Sequence, residues 1–311
     1  MTDGSSLTEP SKFWRALGEE HAADLERYGV EAMKRRQALR YFTWSWSWRS
    51  LHESRQMRFL LARSSPRALL RALLDRPDLS DAAWEGVPWS RRDRWLYVFA
   101  VRLLWDYGLR HDTLDVLELP EPELGNPLPV RWHGRLISQD LANAALEAAA
   151  IARALDEASP RSILEVGAGY GRTAYALLNA FPEATYTIVD IEPALTISRW
   201  YLTQLFPSTR LRFIDPAAAG ALGDGSCDLA VSISSLHEMT EEQVAAYIGL
   251  FDRVARGGIV YLKQWSRWTN PRDAITLEFR AYPIPPAWRP LFDERAPVQT
   301  NFRQAAWRVP A

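Results

Sequence analysis

From Glu165 to Gly171 the chain places one acidic residue and three glycines at alternate positions: Glu165, Gly167, Gly169 and Gly171. The apolar residues Ile163, Leu164 and Val166 surround its start, and a helical pattern opens near Arg172. A strand that enters a glycine turn and then a helix brings a nucleotide-like ligand against backbone N–H groups. Glycine tolerates positive φ and lacks the Cβ that would block close approach. One helix later, Thr185-Tyr-Thr-Ile-Val-Asp190 reads as a second strand ending in an acid. A carboxylate at the carboxyl end of a neighbouring parallel strand accepts ribose hydroxyls, which makes Asp190 a nucleoside-binding candidate. The competing reading is a solvated Asp capping the next helix. Further on lies Ser234-Ser-Leu-His-Glu-Met239. His237 is of the type that takes a proton from a hydroxyl near neutral pH. Glu238 would orient that imidazole, act as the base itself, or help to hold a divalent ion. In the alternative, His237 caps a helix or bonds a carbonyl. Lys263, Gln264 and Trp265 form a second polar and aromatic cluster, suited to an acceptor oxygen and a pocket wall, or to strand-end packing.

These residues need a scaffold that gathers strand ends at one edge. Apolar runs at 162–166, 185–190, 211–215, 228–234 and 259–263 read as strands, and helical runs separate them at 172–180, 194–205 and 241–256. Alternating strands and helices predict an α/β fold with a mostly parallel sheet, right-handed crossovers and ligands at the carboxyl edge. Asp215 would then lie where the base of a nucleoside sits, and Arg303–Val309 reads as one strand of a final hairpin. Residues 1–135 look mainly helical, with helices expected over Lys12–Arg40 and Val87–Leu109, and residues 136–311 form the ligand-binding domain. Trp44, Trp46 and Trp48 alternate with small polar residues, so an extended segment would put their indoles on one side. They pack the N-terminal helices, or Trp44 and Trp46 line a substrate pocket. An Ala-rich helix follows Ser138, a suitable cap, and carries Gln139, Asp140 and Asn143 in its first turn. Those polar residues either reach a ligand or stay solvated at the helix start.

Composition narrows the function classes. The 311 residues carry a formal charge of −1, which gives no electrostatic footprint for nucleic acid. A single cysteine, Cys227, rules out an intramolecular disulfide framework and fits a reducing cytoplasm. No apolar run approaches membrane-spanning length, and residues 1–12 lack the pattern of a signal peptide. Fourteen tryptophans are unusual, and indoles build flat apolar platforms. No His, Cys or carboxylate cluster has a firm metal-site spacing, so a divalent metal is unsupported.

The glycine pattern discriminates between nucleotides. A dinucleotide fingerprint starting at Gly167 needs a glycine at position 172, where the chain has Arg172. The pattern instead resembles motif I of class I S-adenosylmethionine (SAM)-dependent methyltransferases, a family with a Rossmann-like sheet and an antiparallel edge strand. SAM carries an ammonium, a carboxylate and a sulfonium and no pyrophosphate, so an acid beside the loop suits it. The resemblance implies that Glu165, Gly167, Ala168, Gly169, Tyr170, Gly171, Asp190, Ile191, Asp215 and Ser234 bind this cofactor. More narrowly, residues 125–143, 163–173, 186–198, 232–239 and 262–265 look like the sugar O-methyltransferases of bacterial natural-product gene clusters. That likeness implies a cytoplasmic enzyme, with no nucleic-acid or membrane partner, that methylates a hydroxyl, typically on a deoxysugar of a secondary metabolite. His237 or Glu238 would be its base, and Gln139, Asp140, Lys263, Gln264, Trp265, Trp44 and Trp46 would meet the acceptor. The Trp-rich region would serve as lid, acceptor wall or homodimer interface. The alternatives are a non-sugar acceptor (phenol, carboxylate, amine or carbon) and a non-catalytic methyltransferase-like partner protein.

Overall fold

The computed structural model describes residues 11–36, 51–270 and 272–311. In chain order its helices and strands are α1 (Lys12–Tyr28), α2 (Leu51–Arg63), α3 (Pro66–Leu74), α4 (Arg91–Leu109), β1 (Arg131–Trp132), β2 (Arg135–Leu136) and α5 (Gln139–Leu155). There follow β3 (Ser162–Val166), α6 (Arg172–Ala180), β4 (Thr185–Val189), α7 (Ala194–Thr203), β5 (Leu211–Ile214), α8 (Pro216–Ala219), β6 (Leu229–Ile233) and α9 (Glu241–Val254). The chain ends in β7 (Ile259–Trp265), β8 (Arg267–Thr269), β9 (Thr276–Glu278), β10 (Arg289–Arg295) and β11 (Phe302–Arg308).

Seven strands form one sheet in the order β10-β11-β7-β6-β3-β4-β5. The five from β7 to β5 are parallel, and β11 runs antiparallel to both β7 and β10. This is the expected α/β Rossmann-like arrangement, mostly parallel with an antiparallel side. Every residue of β6 is buried, as the near-continuous apolar run of a strand covered on both faces requires. α9 covers one face through Val244, Tyr247, Ile248, Phe251 and Val254, which pack with Leu164, Ala230 and Leu262. Its start is set by a capping box: Thr240 Oγ1 accepts from Gln243 N while the Gln243 side chain accepts from Thr240 N.

The chain divides into two compact units. One comprises the stretch up to Ala22 with Ile151–Ala296 and Asn301–Ala311, and holds the seven-stranded sheet. The other comprises Ala23–Ala150 with Pro297–Thr300 and is mainly helical. In that unit α4 is buried over most of its surface and starts at Arg91, later than the expected Val87. Pro88 and Trp89 precede the true cap, Ser90, whose Oγ accepts from Asp93 N at 3.2 Å. Lys34 and Glu121 form a buried ion pair there at 2.8 Å, and Ser138 Oγ donates to the other Glu121 oxygen at 2.5 Å. α1 is shorter than the expected Lys12–Arg40. Gly29, at φ 74°, stops it by bonding back to Leu25 O. Among the described residues no helix is long and apolar enough to cross a membrane.

Candidate functional site

The parallel strands β3, β4, β6 and β7 deliver the end of each strand to the same edge, and the candidate residues lie there. The loop after β3 carries Gly167, Gly169 and Gly171 at φ 77°, 59° and 96°. Two of these glycines are also required by space. A Cβ on Gly167 would stand 2.0 Å from Ser235 Oγ, and one on Gly171 would stand 2.8 Å from Leu202 Cδ1. The loop is therefore pressed against the β6 turn on one side and α7 on the other. Asp190, just past β4, fastens it: one carboxylate oxygen accepts from Gly169 N at 3.0 Å and the other from Ile191 N at 2.8 Å. Burial pushes this carboxyl up to about 7, and the N–H groups of Ile191, Gly169 and Ala168 oppose the rise.

Glu165 lies deeper than a ligand-facing acid would. Its side chain is buried, and its carboxylate accepts from Tyr186 Oη at 2.8 Å. Burial pushes Glu165 up to about 7, against the pull of Tyr186, the Arg172 charge and the Thr173 hydroxyl. Those last two open α6, so Glu165 fixes the glycine loop at its helix end. Tyr170 likewise turns inward, edge-on to Tyr201 with centroids 5.1 Å apart. Ala168 is buried and Ile191 half-buried. Asp215 is exposed and caps α8, accepting from Ala217 N at 2.9 Å. Ser234 sits in the left-handed region at φ 56°, an unfavourable conformation for a serine, and turns the chain out of β6. Its N–H donates to Lys263 O at 2.8 Å.

That turn leads into a short 3₁₀ segment, Leu236–Glu238, which holds the candidate base. His237 is 2 % exposed. Gln264, at the end of β7, organises it. The Gln264 amide NH₂ donates to Ser232 O at 3.1 Å and to Ser232 Oγ at 3.2 Å, which fixes which end of the amide is oxygen. Its Oε1 therefore faces Ser235 N at 3.0 Å and His237 Nδ1 at 3.0 Å. An amide oxygen only accepts, so Nδ1 carries the ring proton and Nε2 is left with its lone pair. Burial pushes His237 down to about 4, opposed by Gln264, so the ring is neutral at pH 7. Its Nε2 looks toward Glu238 Oε1 at 3.6 Å, beyond hydrogen-bond length. Gln264 was expected to meet the acceptor. Instead it is wholly buried and turned toward His237.

Aromatic rings wall this histidine. Trp268, Phe302 and Trp265 lie with centroids 5.4, 6.1 and 6.2 Å from the imidazole. Phe13, from the first turn of α1, packs edge-on to Trp268 at 5.5 Å. That first turn is tied down by Asp273, whose oxygens accept from the N–H groups of Lys12 and Phe13, and by Ser11 Oγ donating to Glu238 O. Lys263 is buried, with its ammonium 5.6 Å from the Phe302 ring.

The sequence reading missed Tyr282. Its buried hydroxyl has no hydrogen-bond partner among the described residues, and burial together with the Glu238 charge pushes it well above the usual phenol range. Tyr282 stands in the broken, Pro-rich stretch after Ile275, where no periodicity marked it out. Trp268 on β8 and Phe302 at the start of β11 were not put forward as site residues either. Gln139 and Asp140 are buried in the first turn of α5, within the helical unit, and Trp44 and Trp46 fall outside the described residues. Among the described residues no three His, Cys, Asp or Glu side chains stand together as a metal site would need.

The glycine loop, Asp190, His237 and the first two residues of β7 lie within one stretch that comparison with known families picks out. Residues 164–260 match the family described as a methyltransferase domain. No curated protein matches the chain. Among solved structures, the chain is 21% identical to 1,6-didemethyltoxoflavin-N1-methyltransferase from Burkholderia thailandensis, solved with S-adenosylhomocysteine, over 53% of this chain and 77% of that one, with a TM-score of 0.41. The cyclase SpnF is 16% identical over 67% of this chain and 97% of its own, with a TM-score of 0.45. The N-methyltransferase NodS from Bradyrhizobium japonicum is 15% identical over 52% and 92%, with a TM-score of 0.41. These likenesses are distant, and function is read from the matched domain and from the site.

Proposed function

We propose that this protein is a SAM-dependent O-methyltransferase whose acceptor is a small molecule with an alcohol, in first place a sugar hydroxyl on a secondary metabolite. The observation that carries the reading is the glycine loop held against Asp190 inside the matched domain. Positive-φ glycines leave backbone without Cβ atoms, and a carboxylate with free lone pairs stands beside them at the strand ends. Such a cradle fits a nucleoside bearing charged groups. Gly167, Gly169 and Asp190 would hold SAM, with Glu165 and Arg172 keeping the loop in shape. When bound, SAM supplies an electrophilic methyl group on a sulfonium.

The chain's own residues then have defined work. His237, neutral and protonated on Nδ1, presents the Nε2 lone pair that can accept the acceptor's hydroxyl proton. An alcohol needs that help more than a phenol does, which favours the alcohol reading over the other acceptors. Glu238, 3.6 Å from Nε2, stabilises the imidazolium that results. Trp265, Trp268 and Phe302 exclude water, and indole faces suit the apolar face of a sugar ring. Retention of Glu165, the three glycines and Asp190 speaks against a partner protein that has lost its cofactor.

Calorimetric titration with SAM and, separately, with NADH tests the assignment. SAM binds in the micromolar range and NADH does not. Asp190→Ala abolishes binding, and Asp190→Asn, which keeps one acceptor for the loop, weakens it. Absence of SAM binding with the loop intact overturns the reading.

A further inference from the structure

Beside the His237 edge lies a second feature that methyl transfer does not use. A cavity of about 320 Å³ is lined by Ser266, Glu278, Arg280, Arg295 and Arg303. Three guanidinium groups thus face one carboxylate. Two of them oppose each other directly in the antiparallel ladder, Arg295 on β10 against Arg303 on β11. Directly opposed residues share a face with their Cβ atoms about 5 Å apart, and like charges so placed repel. The nearby acids compensate only one of the pair, Arg303. Asp293 is engaged by Arg303, and Glu278 pairs with Arg267 at 3.4 Å. Arg280 and Arg295 have no carboxylate partner among the described residues.

The frame around these arginines is ordered. Phe279 N donates to Ser266 O at 3.1 Å, and the Phe279 ring is buried and stacked on Trp307. Arg280 is the next residue, in the 3₁₀ turn Phe279–Ala281. Repulsion held in place by a ladder and a packed turn is what an anion relieves. Guanidinium groups from separate elements match the oxygens of a phosphoryl group. The location ties the cavity to the acceptor. Ser266 directly follows Trp265, one wall of His237, and Arg280 stands two residues before Tyr282, whose hydroxyl feels the Glu238 charge.

We propose that this cavity is an anion subsite that holds a phosphoryl group carried by the methyl acceptor, so that the acceptor is a phosphate ester or a nucleoside diphosphate derivative. The proposal rests on the methyltransferase reading for the word acceptor, and the anion site itself stands independently of it. Inorganic phosphate and pyrophosphate distinguish the two acceptor types: a monoester site prefers the first, a diphosphate site the second.

The test titrates both probes into the whole protein and into two double variants, Arg280→Ser/Arg295→Ser and Arg91→Ser/Arg92→Ser. The second pair is exposed on the helical unit and removes the same net charge elsewhere. One of the probes binds the wild type, its affinity falls at least about tenfold in the first variant, and the second variant behaves as wild type. Glu278→Gln, which removes the one lining carboxylate, tightens binding. Equal loss in both variants, unchanged affinity in the first, or no binding of either probe to the wild type overturns the proposal. SAM titrated into the same samples separates the two readings. Loss of phosphate affinity with SAM affinity intact supports the subsite, and phosphate binding without SAM binding condemns only the methyltransferase assignment.

Discussion

Replacing Gln264 puts the proposed chemistry of His237 under direct test. In the native protein Gln264 Oε1 accepts from Ser235 N and from His237 Nδ1, each at 3.0 Å, at a site with no exposure. Gln264→Leu keeps roughly the same volume and leaves both N–H groups without that acceptor. An unsatisfied buried donor costs about 1–3 kcal/mol, so the variant loses about 2–6 kcal/mol of stability. The ring also loses its reason to keep the proton on Nδ1, and the tautomer with the proton on Nε2, facing Glu238, becomes favoured. Gln264→Glu acts differently: it keeps the acceptor and adds a charge. An opposite charge at this range raises the pKa by about 1–3 units from its depressed value of about 4. The assay is long-range proton–nitrogen NMR of the imidazole across a pH series, which reports tautomer and titration without any substrate. Wild type shows a protonated Nδ1 and stays neutral down to about pH 4, the leucine variant moves the proton, and the glutamate variant titrates higher. A wild-type His237 protonated on Nε2, or titrating near 6.5, refutes the argument.

Three other perturbations bear on the scaffold. Burial holds Asp190 near 7, so its ionised share rises from about a tenth at pH 6 to about nine-tenths at pH 8. A raised carboxyl pKa makes the anion scarce on the acid side, so SAM binds about tenfold more tightly at pH 8 than at pH 6 by calorimetry. Gly167→Ala forces a Cβ to within 2.0 Å of Ser235 Oγ at φ 77°. Overpacking and strain together cost about 2–5 kcal/mol, read as a lowered unfolding midpoint and lost SAM binding. Glu121→Ala removes the carboxylate paired with the buried Lys34 ammonium and destabilises the helical unit by about 3–5 kcal/mol in denaturant titration, whereas Lys34→Met/Glu121→Leu recovers most of the loss.

The five parallel strands were legible because a covered strand needs a short apolar run and its successor helix needs a polar break. Arg172–Ala180 was read to the residue for that reason. The glycine loop was equally visible, since Gly167 and Gly171 are demanded both by φ and by their neighbours Ser235 and Leu202. Gln264 was noticed and given the wrong direction. A strand-end glutamine looks the same in sequence whether it faces a ligand or a histidine 27 residues earlier in the chain. Trp268 and Phe302 were not assigned to the site because they converge on His237 from β8 and β11, and Tyr282 comes from an irregular segment. Their meaning is set by pairing between distant strands, such as Phe302 opposite Trp265, and local pattern carries no trace of it.

The position of β11 inside the sheet has a kinetic consequence. β7 pairs on one side with β6, which precedes it closely, and on the other with β11, which arrives after β8, β9 and β10. Until residues 302–308 dock, β7 presents a seven-residue open edge rich in Ile, Val, Tyr and Leu, the kind of template that recruits strands from other molecules. Long-range pairing of this sort is slow to form because loop closure precedes any reward. Refolding should therefore be most vulnerable to aggregation in the interval when the parallel strands are assembled and β11 is still searching for its slot, and a chaperone that shields β7 would lessen that hazard without touching the finished fold.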